Sequence, residues 1–215
     1  DTKLRKGNAL ISEEILGSPL RPKKKKEKGN LEKFFSKDVE LVEAFDWGTE
    51  YPELDLFDDG GFDYIFMNPP YGRLKVHRSD FLDKETISSF LGEELERELS
   101  NVKIYLRNMS HYFRKSGDYA LSCKGELDWY RLMLERALRL LKRDGRIGCI
   151  IPNTILADIR SAPLRKYLLE SCVIEEVLAL PETANLFDTV NQPTCILVIR
   201  KDVDPKTQIA VARCK

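Results

Sequence analysis

The stretch ELDWYRLMLERALRLLKRDGRIGCIIPN, Glu126 to Asn153, carries one helix and one strand in succession. Leu127, Tyr130, Leu134, Ala137, Leu138 and Leu141 fall on a single stripe at helical spacing, and Trp129 and Met133 widen it. Lys142 and Arg143 suit the negative end of the helix dipole, and Gly145 is the expected left-handed stop. Arg146 to Ile151 (RIGCII) is then a near-continuous apolar strand, of the kind covered on both faces in a parallel sheet, and Pro152-Asn153 ends it.

The same alternation extends in both directions. Upstream, Phe62 to Met67 (FDYIFM) is a short β-favouring run between Gly60-Gly61 and Asn68-Pro69-Pro70, and reads as a buried strand. Downstream come a helix around Ala162 to Glu170 and strands at Val173 to Leu180 and Thr194 to Arg200, with Gln208 to Arg213 as a candidate addition. Leu31 to Phe45 can form an amphipathic helix, and Arg73 to Ser122 is charged and helical chiefly over Lys84 to Arg114. Thr2 to Lys6 reads as the tail of a strand that closes in the turn Gly7-Asn8-Ala9-Leu10. The run RPKKKKEK, Arg21 to Lys28, is expected to be a solvated, mobile loop. Together these predict an α/β fold: an open, mostly parallel sheet with helices on both faces.

Composition bounds the function. The chain has 215 residues, enough for one α/β domain, and 42% apolar with 33% charged residues exclude a disordered or collagen-like chain. Its 35 basic and 35 acidic residues cancel, so contact with nucleic acid must come from local patches and not from overall charge. No apolar run is long enough for a membrane span and no secretory signal opens the sequence, so no membrane partner is expected. Cys123, Cys149, Cys172, Cys195 and Cys214 form no C-x-x-C pair, which favours reduced thiols and a cytoplasmic setting. His77 and His111 stand far apart, and no metal site is expected. The chain opens at Asp1 and reads as the interior of a longer protein.

Chemistry is concentrated at Asn68-Pro69-Pro70-Tyr71, directly after the strand at 62–67. Ligands in open α/β sheets bind at the carboxyl ends of strands. The residue types suit the holding of a planar amine. An exocyclic amino group on a heteroaromatic ring is a poor nucleophile, because its lone pair is delocalised into the ring. Two acceptors aimed at its hydrogens, the Asn68 side-chain oxygen and the Pro69 main-chain carbonyl, draw the nitrogen towards tetrahedral geometry and free the lone pair. Pro70 stiffens the corner, and Tyr71 offers a ring face for stacking, worth about 1–3 kcal/mol per base. A strong electrophile such as a sulfonium methyl then needs no general base before attack, and catalysis is positioning plus electrostatics. A plain turn is the competing reading.

The segment Gly60 to Gly72 resembles the catalytic motif of N6-adenine DNA methyltransferases of restriction–modification systems. Three further stretches match in the same order. Gly7 to Leu10 resembles the turn after the third sheet strand, Leu134 to Asn153 the helix, strand and turn behind the catalytic pocket, and Asn185 to Arg200 the late motif whose aromatic residue packs on the extruded base. The resemblance implies a Rossmann-like S-adenosylmethionine-dependent methyltransferase fold, S-adenosylmethionine as cofactor and DNA as partner. It implies that Asn68 and the Pro69 carbonyl hold the target amino group, that Tyr71 and Phe187 take the two faces of a flipped-out base, and that Asn8 meets the cofactor adenine. Phe187 also reads as an ordinary core aromatic and Asn8 as a turn residue.

The departures are definite. The family's glycine-rich cofactor loop is absent: the twelve glycines include no G-x-G spacing, and the acidic ribose-binding residue has no counterpart. Both, with the first two strands, are expected upstream of Asp1. Residues 1–201 are accordingly expected to form a partial methyltransferase catalytic domain from the third strand onward, and 202–215 a linker or the start of a further domain. The rest of a larger restriction–modification polypeptide, or a specificity subunit, is the expected protein partner. Such a chain is expected to be inactive in isolation. Two alternatives stay open: a methyltransferase acting on another planar amine, such as a release-factor glutamine or a ribosomal RNA guanine, and a non-catalytic remnant domain.

Overall fold

The structure, a computed structural model, describes residues 7–75, 92–181, 192–201 and 212–214. Its N-terminal part is rich in loops. A two-residue hairpin joins β1 (Gly17–Ser18) to β2 (Arg21–Pro22), followed by two short helices, α1 (Glu32–Phe35) and α2 (Trp47–Glu50). The single helix expected over 31–45 is broken. After α1 the chain continues in two 3-10 turns, Ser36–Asp38 and Glu40–Val42, separated from α1 by the positive φ of Ser36.

The regular part follows. β3 (Phe62–Met67) precedes α3 (Gly92–Lys115), then come α4 (Trp129–Leu140), β4 (Leu141–Pro152), α5 (Ala162–Ser171), β5 (Cys172–Leu180), β6 (Thr194–Lys201) and β7 (Ala212–Cys214). The strands form one sheet in the order β3-β4-β6-β5-β7. β3 runs parallel to β4 and β5 parallel to β7, but β6 is antiparallel to both β4 and β5. The sheet is therefore mixed, which corrects the expectation of a mostly parallel one. A central strand such as TCILVIR is apolar whichever way it runs, so its composition does not encode its direction.

Among the described residues, α4 and α5 pack on the same face. There Leu134, Leu138, Leu164 and Leu168 enclose Ile147, Cys149, Ile151, Cys195, Leu197 and Ile199 in one core. The alternate residues Ile150, Ile196 and Val198 are only half-buried, and Phe66 is 82% exposed. A second cluster, in which Phe35, Tyr112, Phe113 and Tyr119 are buried, packs α3 against the loop-rich N-terminal part.

Near the start of β4, Asp144 takes the left-handed conformation (φ 60°) in place of the expected Gly145. Gly145 is needed for a different reason: a Cβ there would lie 2.9 Å from the Phe62 carbonyl oxygen. Gly61 opens β3 under the same constraint, with φ 145° and the Leu140 carbonyl oxygen 2.3 Å from where a Cβ would sit. β3 can thus begin pressed against the end of α4, and this contact sets where its far end emerges.

Candidate active site

Met67 pairs with Cys149, so Asn68 leaves the sheet at the carboxyl end of β3, beside the parallel end of β4. Asn68 is exposed, Pro69 is buried, Pro70 is exposed and Tyr71 is half-buried. Buried Pro69 thus holds the corner against the body of the protein while Asn68 stays open to solvent. The Tyr71 hydroxyl donates to the main-chain carbonyl of Ile150 at 3.3 Å, which ties the corner to β4. Burial pushes the Tyr71 hydroxyl pKa up, aided by Cys195 and Cys149, so the group stays a neutral donor near pH 7.

The chain leaves the corner as a limb, residues 72–75, laid antiparallel against residues 127–129. The Trp129 amide donates to the Gly72 carbonyl at 3.1 Å, the Leu74 amide donates to the Leu127 carbonyl at 2.8 Å, and Arg73 bridges to Asp128. Glu126 sits beside this limb and gathers Arg73 at 2.9 Å, Lys75, and Arg160 at 3.1 Å. Lys75, Arg73 and Arg160 hold the Glu126 carboxyl below its usual pKa, so it stays ionised.

Asn8 lies in the expected turn. Its Oδ1 accepts the Leu10 amide at 3.2 Å and its own amide donates to the Glu43 carbonyl at 2.7 Å. The next residue, Ala9, shares a cavity of about 310 Å³ with the length of β3 from Phe62 to Met67, so the structure brings the Asn8 turn to the strand that delivers Asn68. Phe187 lies outside the described residues, as do residues 1–6, and its expected place opposite Tyr71 is not described.

Several residues that order this site are charged, and the apolar stripe of α4 gave no hint of them. Arg131, Glu135, Arg136 and Arg139 are all buried, at most 5% exposed. Each fastens loop segments that lie beside α4. Arg131 binds the segment 124–128, and Glu135 accepts from Ser18 Oγ at 2.6 Å and from the Leu121 and Ser122 amides. Arg136 pairs with Asp118 at 3.1 Å, and Arg139 donates to the Leu16 carbonyl at 2.7 Å and the Leu56 carbonyl at 2.8 Å. The signal in the sequence is the spacing of 131, 135 and 139 by four, a second stripe beside the apolar one.

The lysine run is exposed to solvent, as expected, and its lysines carry ion pairs. Lys23 pairs with Glu27 at 3.0 Å, Lys24 with Asp59, Lys26 with the buried Glu14 at 2.7 Å and Lys28 with Glu13 at 3.8 Å. Its charge is largely neutralised within the fold.

An α/β sheet carrying an asparagine–diproline–tyrosine corner at a strand end defines the class. Residues 7–187 match the family described as Eco57I restriction-modification methylase, and the chain belongs to that family. It is similar to the type I restriction enzyme MpnII methylase subunit of Mycoplasma pneumoniae, with 25% identity over 76% of this chain and 24% of that protein. It is also similar to the type II restriction enzyme and methyltransferase RM.Eco57I of Escherichia coli, with 24% identity over 66% of this chain and 11% of that protein. Among solved structures, the type I restriction-modification methyltransferase subunit of Streptococcus thermophilus aligns over 66% of this chain and 24% of its own, at 21% identity and a TM-score of 0.41. The chain spans a quarter or less of the length of the curated relatives it matches.

Proposed function

We propose that this chain is the catalytic part of a methyltransferase that moves a methyl group from S-adenosylmethionine to the N6 amino group of an adenine in DNA, as the modification function of a restriction–modification system. The observation that carries this reading is the corner itself. Asn68 is held open at the carboxyl end of β3, anchored by buried Pro69 and by the bond from Tyr71 to Ile150.

The Asn68 Oδ1 and the Pro69 carbonyl accept from the two N–H groups of the amine, and so localise its lone pair on nitrogen. The half-buried Tyr71 ring is assigned to one face of the base and Phe187 to the other. An adenine in a duplex reaches such a corner only when flipped out, at a cost of a few kcal/mol. S-adenosylmethionine supplies the electrophilic sulfonium methyl. The residues present fit its adenine end: Asn8 uses its Oδ1 within its own turn, which leaves the carboxamide nitrogen to donate to a ring acceptor, and the adjoining cavity borders β3. The methionine end has no counterpart in these residues.

The partners that follow are DNA and the remaining parts of a larger restriction–modification enzyme or its specificity subunit. The test is Asn68→Ala in the intact protein. Methyl transfer to adenine should fall by on the order of 10²-fold or more, the scale of losing one oriented acceptor at a reacting centre, while DNA affinity stays within about threefold. Normal turnover by that variant removes Asn68 from the mechanism and with it this reading.

A further inference from the structure

Arg131 lies on α4, is 0% exposed, and points away from the sheet core into the loop that precedes the helix. Its Nε donates to Asp128 Oδ2 at 2.9 Å, Nη1 to the carbonyls of Arg160 at 2.9 Å and Lys124 at 3.4 Å, and Nη2 to the carbonyl of Glu126. One planar guanidinium therefore sets the path of residues 124–128. That segment and the adjoining first residue of α4 are what the limb 72–75 lies against: the Leu127 carbonyl and the Trp129 amide hold Leu74 and Gly72, and the Glu126 side chain holds Arg73 and Lys75. The limb begins one residue after Tyr71.

We propose that Arg131 is a positioning residue for the 68–71 corner, acting through the 124–128 loop and without touching the reacting groups. The inference rests on the methyl-transfer reading of that corner. Physically, the corner is pinned on one side by β3 and by the Tyr71–Ile150 bond, and on the other by this limb. Loosening the limb lets Asn68 drift from its productive geometry, and a displacement of about 1 Å at a reacting centre costs up to about 10²-fold in rate. Lysine cannot replace the guanidinium here, because one ammonium cannot reach Asp128 and three carbonyls spread over the fork.

The experiment uses the intact protein with Arg131→Lys and, should that variant not fold, Asp128→Asn, which keeps the volume and weakens one arm of the grip together with the 4.0 Å pair from Asp128 to Arg73. Three readouts are taken. kcat should fall on the order of 10- to 100-fold for Arg131→Lys and several-fold for Asp128→Asn, with KM for DNA within about threefold. The amides of Leu74 and Trp129 should exchange with deuterium faster than in the unaltered protein. In an Asn68→Ala background the rate penalty of either variant should vanish, because the group being positioned is gone. Faster exchange with unchanged kcat overturns the proposal, as does a penalty that persists in full without Asn68. If Asn68→Ala itself turns over normally, the methyl-transfer reading fails first, and the amide exchange alone then decides whether Arg131 governs the limb.

Discussion

The hydroxyl of Tyr71 donates to the main-chain carbonyl of Ile150 at 3.3 Å. A side chain of the 68–71 corner is thereby bonded to the neighbouring strand of the sheet, and the position of Asn68 becomes a property of β3 and β4 together. In the proposed reaction the same residue presents a ring to a base and a hydroxyl to the scaffold, and the two tasks separate by mutation.

Tyr71→Phe keeps the ring and removes the bond. Stability should fall by about 0.5–1.5 kcal/mol, the usual worth of one such bond, as read from denaturant midpoints. Capture of a flipped base, followed by the fluorescence of a 2-aminopurine at the target position, should persist. Tyr71→Ala should lose that capture. Equal unstacking with both variants would count against the ring.

Gly61→Ala tests how β3 is set. The added methyl meets the Leu140 carbonyl oxygen at 2.3 Å and the φ of 145° disfavours a side chain, so either β3 or the end of α4 must move. A loss of about 2–3 kcal/mol or more is expected, in the range seen for overpacking. A fully stable variant would show that this contact does not place the strand.

The lysine run should contribute little to DNA binding. Lys24 and Lys26 are already paired with Asp59 and Glu14. Replacing both with Gln should leave the slope of log affinity against log salt nearly unchanged, where two free phosphate contacts would each lower it by about one. A drop of two in that slope would place the run on the DNA.

Alkaline pH should unfold the protein through its buried tyrosines. Burial pushes the Tyr112 hydroxyl up to about 12, against an ordinary value near 10, while it exchanges hydrogen bonds with the Ser12 backbone. Tyr119 is shifted in the same direction for the same reason. Between about pH 10 and 12 the unfolded chain has lost protons that the folded chain keeps, so stability present below about pH 10 declines as pH rises through that window. Denaturation midpoints measured across it should fall, and Tyr112→Phe should flatten the decline while lowering stability at neutral pH by about 1–3 kcal/mol for the unpaired Ser12 groups.

Much of this was legible in the sequence because period and punctuation are local properties. The run Phe62–Met67 between two glycines and two prolines is a strand, and the stripe from Tyr130 to Leu138 is a helix. The corner at 68–71 follows from its place after that strand. What the local pattern could not carry was direction and partnership. Thr194–Lys201 reads as a central strand either way, yet it runs against both its neighbours. The left-handed residue expected at Gly145 is instead Asp144, which tolerates that conformation through its short polar side chain, and Gly145 serves the close approach of β3.

The amino-acid sequence by itself therefore determined the main helices and strands from Phe62 onward, their order, and the candidate tetrapeptide at a strand end, since each depends on neighbours within a few residues. Only the tertiary structure decided that the sheet is mixed, that α4 and α5 share one face, and that Arg131, Glu135, Arg136 and Arg139 are buried clamps and not a solvated face. A buried charge is tolerable only where distant carbonyls and carboxylates meet it, and those partners, from Leu10 to Arg160, come together only when the chain has folded.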